Sequence, residues 1–239
     1  MKACSTPDEC CGRCPPVITI DGPAGAGKST VARLLAQSLG FRYLDTGAMY
    51  RAITWQAIQE GIELTDANAL SALADRIDLK LEPSPEGTRV WVNGREATDA
   101  IRNPDITNRV FHLADNAQVR ARMVILQRHW AAGGPTVTEG RDQGTEAFPK
   151  AAVKFYLDAS AEERARRRLR DLQRAGVLAS FENVLQSVRE RDQRDRARPV
   201  GALRRAPDAI YIDCTTLDLS EVVNLLAQHV KERLSKNVV

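Results

Sequence analysis

The sequence predicts an α/β chain: a central, mainly parallel sheet of five strands wound with helices, carrying a small antiparallel insert and an arginine-rich helical arm. Three observations predict it. Short β-branched and apolar runs alternate along the chain with segments whose apolar residues recur at helical spacing. That alternation is interrupted once, between Leu79 and Ala97, by closely spaced short strands with turn residues between them. Several of the strand-like runs end in acids or arginines, and those are the ends at which open α/β sheets bind ligands.

Taken in order, Val17-Ile18-Thr19-Ile20-Asp21 is a short run suited to a buried strand. A glycine-rich loop follows, then apolar residues at helical spacing from Val31 until Gly40 stops them. Phe41 to Asp45 reads as the second strand, Thr46 opens a helix to about Glu60, and Asp66 to Arg76 is helical. Leu79-Lys80-Leu81, Thr88 to Val92 and Arg95-Glu96-Ala97 are the short strands of the insert, separated by turns at Pro83 to Gly87 and at Asn93-Gly94. Pro104 to Ala132 is mostly helical and ends at Gly133-Gly134-Pro135. Thr136-Val137-Thr138 runs into Glu139-Gly140-Arg141-Asp142, and Val153 to Asp158 is another strand. Helices are expected over Ala161 to Ala175, from about Phe181 to Pro199, and over Asp218 to Ser235, with Ala209 to Asp213 as the fifth core strand.

A chain of 239 residues suits one domain with insertions and buries enough apolar surface to need no disulfide or structural metal. Its net charge of +3 argues for neither a nucleic-acid nor a membrane partner. The distribution is more informative: thirteen arginines lie between Arg164 and Arg205, and no lysine between Phe155 and Val230. The guanidinium fork suits phosphate and carboxylate, so this bias reads as phosphate recognition together with helix-surface ion pairs. No run approaches the ~20 apolar residues of a membrane span, and the N-terminus lacks a signal-peptide core, which points to the cytoplasm. Cys4, Cys10, Cys11 and Cys14 crowd the first residues, while Cys214 stands apart. In a reducing compartment residues 1–16 read as a flexible, reactive tail; their spacing admits zinc but offers no histidine. His112, His129 and His229 show no ligand spacing.

The chemistry starts at Gly22-Pro23-Ala24-Gly25-Ala26-Gly27-Lys28-Ser29-Thr30, a G-x-x-x-x-G-K-[ST] loop between a strand and a helix. Its backbone N–H groups and the helix dipole converge on one point and attract phosphate. Lys28 reaches the β and γ phosphates, and the Ser29 hydroxyl can ligate Mg²⁺. A switch GTPase would add an N-K-x-D motif, which the chain lacks, and a motor would need a longer chain. A small-molecule kinase needs a second pocket that sets an acceptor in line with the γ phosphate and excludes water. The insert, the arginines at 51, 120 and 141, and the arginine-rich helix read as that pocket and a lid.

Four segments together resemble the bacterial cytidylate kinases: Val17 to Thr30, Leu44 to Arg51, Glu139 to Thr145, and Arg189 to Arg196. The likeness runs from about Val17 to Leu234. It implies transfer of the γ phosphate of ATP to CMP or dCMP with Mg²⁺, by a cytoplasmic and usually monomeric enzyme. It implies a domain over residues 17–239, with a nucleoside-monophosphate-binding insert at about 62–103 and a mobile lid at about 160–180. By the same likeness Gly22 to Thr30 hold ATP, with Ser29 on the metal and Glu139 able to hold a metal-bound water. Thr46, Arg51, Arg120, Arg141, Asp142, Arg191, Asp195 and Arg198 line the CMP site. Lys28, Arg141, Arg191 and the lid arginines Arg167 and Arg168 act on the transferring group, where charge spreads over the equatorial oxygens. No general base is demanded, since the acceptor phosphate oxygen is anionic near neutral pH.

The chain departs from that pattern at Glu139, where many relatives carry Asp, and at Gln143 and Glu146, which replace common apolar residues. Phe111 falls where the family places a base-contacting serine, so it is expected at the CMP base. A related kinase acting on UMP or dephospho-coenzyme A is the alternative enzyme reading. An RNA-binding strip at Arg164 to Arg170 is the alternative from another class, but Glu162, Glu163 and Asp171 interrupt it and no aromatics are interleaved.

Overall fold

The computed structural model describes residues 15–84 and 87–236. The cysteine-rich tail expected over residues 1–16 falls almost wholly outside them. Strand β1 (Val17–Asp21) is buried from its second residue onward because Ile18 and Ile20 face the core. The glycine loop leads into α1 (Lys28–Leu39), which β2 (Arg42–Asp45) and α2 (Thr46–Gln59) follow. Helix α2 starts where the Asp45 side chain accepts from the Ala48 N–H, and α3 (Ala67–Arg76) is capped in the same way by Asp66.

The insert forms its own antiparallel sheet of β3 (Leu79–Ser84), β4 (Gly87–Val92) and β5 (Arg95–Glu96). The Asn93-Gly94 pair joins β4 to β5 with both residues at positive φ, 49° and 77°, as the sequence signal requires. Leu81, Val90 and Val92 face inward and share a core with Ile53 and Trp55 of α2 and Leu70 and Leu73 of α3.

Residues 104–132, read as mostly helical, are so, and divide into α4 (Pro104–Arg109), α5 (Phe111–Ala114) and α6 (Ala117–Ala131). The break has a local cause. Asn116 adopts an extended backbone and its side-chain oxygen accepts from the N–H groups of Gln118 and Val119, so it starts a new helix. Strand β6 (Thr136–Gly140), a π-type turn at Gln143–Ala147 and β7 (Val153–Asp158) come next. Helices α7 (Ala161–Arg174) and α8 (Phe181–Ala197) form a hairpin, and β8 (Ile210–Asp213) and α9 (Leu219–Lys236) close the chain.

The central sheet has the order β2-β6-β1-β7-β8, and every neighbouring pair is parallel. One face packs on α1 and α9 through Leu35, Val222, Leu226 and Val230. The register decides what the C-terminal edge presents: Asp45 lies opposite Glu139, and Asp21 lies opposite Gly140 and Tyr156. Strands distant in sequence thus bring their acidic ends to one rim.

Candidate active site

The glycine loop sits on that rim. Gly22 has φ +148°, and a side-chain carbon there would overlap the carbonyl oxygen of Leu157, so the loop lies directly on β7 and tolerates only glycine at this point. Lys28 is 5% exposed and its ammonium donates to the Pro23 carbonyl at 2.7 Å, curling back over the loop. Burial lowers its pKa and the Arg141 and Arg191 charges lower it further; against Glu139 and Asp21, the balance is about 7. Asp21, beneath the loop, accepts from the N–H groups of Gln143 and Gly144 at 2.8 and 2.7 Å. Burial nevertheless pushes its pKa up to about 7.

Ser29 Oγ donates to Glu139 Oε1 at 2.9 Å. A hydroxyl and a carboxylate at the mouth of a phosphate loop make a hard-oxygen pair suited to Mg²⁺, which keeps waters and substrate phosphates as its other ligands. Among the described residues no cluster of three or more His, Cys, Asp or Glu could hold a metal by itself, and a phosphate-borne magnesium needs none.

A cleft of about 730 Å³ runs from this loop between two walls. One wall is α2 with residues 107–114, and the other is the α7–α8 hairpin. Thr46, Arg51, Arg120, Arg141, Asp142, Arg191, Asp195 and Arg198 all line it, as do Arg167 and Arg168. Four are tied in buried pairs: Arg120 donates to Asp142, and Arg141 donates to Asp195 at 2.8 Å. Arg198 bridges Asp195 and Asp115, at 2.8 and 2.7 Å. Burial would raise Asp195, but Arg141 and Arg198 outweigh it and hold the carboxyl below its usual range. Asp142 goes the other way, raised by burial despite Arg120. Thr46 donates to the Glu139 carbonyl at 2.7 Å, and Arg51 pairs with Asp45 at 3.2 Å.

Two guanidiniums are left for a ligand. Arg191 and Arg168 have no hydrogen-bond or ion-pair partner among the described residues, and both line the cleft. Burial and the Arg141 charge push Arg191 down to about 10. Cations held together at such a cost are stabilised by an anion. Arg167, the other lid arginine, is already engaged: it donates to the carbonyls of Ala26 and Cys214, at 3.4 and 2.8 Å, and to Glu163 at 3.0 Å. The Cys214 thiol, 2% exposed, points at the carbonyls of Asp158 and Ala26, at 2.9 and 3.4 Å.

Gly22, Pro23 and Ala26 shape the loop from below and are buried. Phe111, expected at the base, is not among the residues lining the cleft; Val110 and Ala114 on either side of it are. Its ring lies 4.8 Å beneath the Arg194 guanidinium and 4.1 Å from the His112 ring. α5 is a single helical turn, and with its N-cap Val110 and its last residue Ala114 on the cleft side, Phe111 is turned away. Sequence reasoning also missed Arg164, which donates twice to Asp192, at 3.0 and 2.7 Å, and to the Ala24 carbonyl at 3.1 Å. That bond network pins the hairpin to the loop. No spacing in the sequence signals it, because its members lie on three separate elements.

Comparison with known proteins agrees with this geometry. The model of the cytidylate kinase family matches residues 18–232. The cytidylate kinase of Geobacillus thermodenitrificans is 46% identical over 217 residues, covering 91% of this chain and 97% of its own. That of Carboxydothermus hydrogenoformans is 46% identical over 88% of this chain and 95% of its own. A bifunctional pantoate ligase/cytidylate kinase of Synechococcus sp. is 48% identical over 93% of this chain, which spans 42% of that longer protein. With its phosphate loop, its arginine-lined cleft and its parallel sheet all covered by the matched region, the chain belongs to the cytidylate kinase family.

Proposed function

We propose that the protein transfers the γ-phosphoryl group of ATP to CMP or dCMP, giving ADP and CDP or dCDP, in the pyrimidine nucleotide metabolism of the cytoplasm. The observation that carries this reading is one cleft that gathers Lys28, Arg168 and Arg191 with the paired Arg120–Asp142 and Arg141–Asp195. Two anionic nucleotides would otherwise repel, and an excess of cations lets their phosphates meet.

In this reading the loop N–H groups and Lys28 hold the ATP phosphates, and Thr46, Arg51 and Arg141 hold the phosphate of the acceptor. Arg120 and Asp142 present a donor and an acceptor to the base, and Asp195 and Arg198 reach the sugar. Ser29 and Glu139 would hold Mg²⁺, which when bound neutralises charge on the phosphate oxygens. The α7–α8 hairpin serves as the lid, with Arg168 brought to the transferring group, and the β3–β5 insert with α3 as the acceptor-binding unit. The acceptor phosphate is already anionic, so positioning and charge do the work. Coupled assays of ADP release with CMP, dCMP, UMP and AMP test the reading: CMP and dCMP should have the highest kcat/KM, and a preference for UMP or AMP would overturn it.

A further inference from the structure

The segment leaving α8 passes directly over the guanidinium of Arg120. Its crest is Gly201, at φ +67°, where a side-chain carbon would overlap that guanidinium. The Gly201 N–H donates to Glu146 Oε1 at 2.8 Å, and Glu146 Oε2 stands 3.9 Å from Arg120 Nη2. One carboxylate therefore faces both the strap and the arginine beneath it.

Arg120 needs such a constraint. It is 4% exposed, yet its Nε has no hydrogen-bond partner, and among the described residues its guanidinium donates only to Asp142 and to the Ala114 carbonyl, the latter at 3.3 Å. A long side chain with an unmatched buried donor keeps one pose only if its surroundings leave no other. The strap is fixed at its ends, where Arg198 pairs with Asp115 and Asp195 and the Leu203 N–H donates to the Asp195 carbonyl at 2.8 Å. Among the described residues, the bond to Glu146 is what holds the crest between them. Glu146 is itself rigidly placed: its N–H donates to the Asp142 carbonyl at 2.8 Å, and Arg128 donates to its carbonyl at 3.0 Å.

We propose that Glu146 is a positioning residue for acceptor recognition, holding the Gly201 strap down so that Arg120 stays aimed at the nucleotide base. The proposal rests on the reading of the cleft as a CMP site. Because the bond needs only an acceptor oxygen, Glu146→Gln preserves it while Glu146→Ala removes it.

Steady-state kinetics on the full chain should show KM for CMP raised about five- to tenfold in Glu146→Ala, with kcat and KM for ATP within about twofold of wild type, and near-normal KM in Glu146→Gln. Gly201→Ala, which displaces the guanidinium from above, should raise KM for CMP similarly. Hydrogen exchange at the Gly201 amide supplies a readout independent of activity: protection should be lost in Glu146→Ala and kept in Glu146→Gln. An unchanged KM for CMP in Glu146→Ala overturns the proposal, as does an equal loss in Glu146→Gln, which would assign the effect to charge. Wild-type enzyme inactive on CMP would instead overturn the reading of the cleft, and the exchange data would still decide whether Glu146 holds the strap.

Discussion

Lys28 shows how a single residue depends on what is brought to it. Burial and the Arg141 and Arg191 charges lower its pKa to about 7, so its ammonium is the less favoured form above that pH. Phosphates arriving at the loop favour the ammonium, so nucleotide binding should take up close to one proton at pH 8 and much less at pH 6. Calorimetric titration with ATP in buffers of different ionisation enthalpy measures this, and Lys28→Met should reduce the uptake, leaving any share due to Asp21, and lower turnover by orders of magnitude in a folded protein. Absence of proton uptake at pH 8 would show that Lys28 is already charged. Phe111 supplies the contrasting case. Its ring packs against Arg194 and His112 rather than lining the cleft. Phe111→Ser should therefore leave the ratio of kcat/KM for CMP over UMP within twofold, while costing about 2 kcal/mol and so lowering Tm by about 4–8 °C. A severalfold gain in that ratio would put residue 111 at the base after all. The loop lysine and, apart from Arg164, the cleft arginines were legible in the sequence, through the phosphate loop and the family likeness. The pairing of those arginines was not: Asp142 and Asp195 line the cleft as the sequence led one to expect, and only the fold adds that they also pair with Arg120, Arg141 and Arg198.

At the scale of an element, helices α7 and α8 were expected from helical spacing and the Gly176 break, and their bounds fall within a residue or two of that reading. What joins the two helices was invisible, because Arg164 and Asp192 lie 28 positions apart. Their bidentate pair is buried on both sides, at 4% and 5% side-chain exposure, so removing one partner strands a charge in the interior. Asp192→Ala should cost about 3–5 kcal/mol locally and open the hairpin, seen as faster proteolysis at residues 175–180. Arg168→Ala makes the complementary test. Arg168 is exposed and unpaired among the described residues, so Tm should be unchanged while kcat falls about 100-fold. Equal effects of the two variants on Tm and kcat would deny them separate roles.

For the whole molecule, alternation of strands and helices gave away the fold class, and the Asn93-Gly94 turn gave away the insert. The strand order was not readable. Which strands neighbour β1 depends on long-range pairing, and it is this pairing that lines up Asp21, Asp45 and Glu139. The same assembly brings Arg168 and Arg191 of the hairpin and Lys28 of the loop to one cleft, where their like charges repel. Adding both nucleotides should remove that repulsion and draw the hairpin inward. Spin labels at Leu178, which is 99% exposed at the hairpin tip, and at Asn108 on the opposite wall should approach each other when both nucleotides bind. An unchanged distance would mean that the hairpin does not close.

The thiol of Cys214 is enclosed by the carbonyls of Asp158 and Ala26 and by Arg167, so a maleimide reaches it only when the phosphate loop or the hairpin lifts away. In a chain with Cys4, Cys10, Cys11 and Cys14 changed to serine, the alkylation rate at this one sulfur becomes a clock for opening of the loop. Occupancy by nucleotide then registers as a slower clock, without turnover.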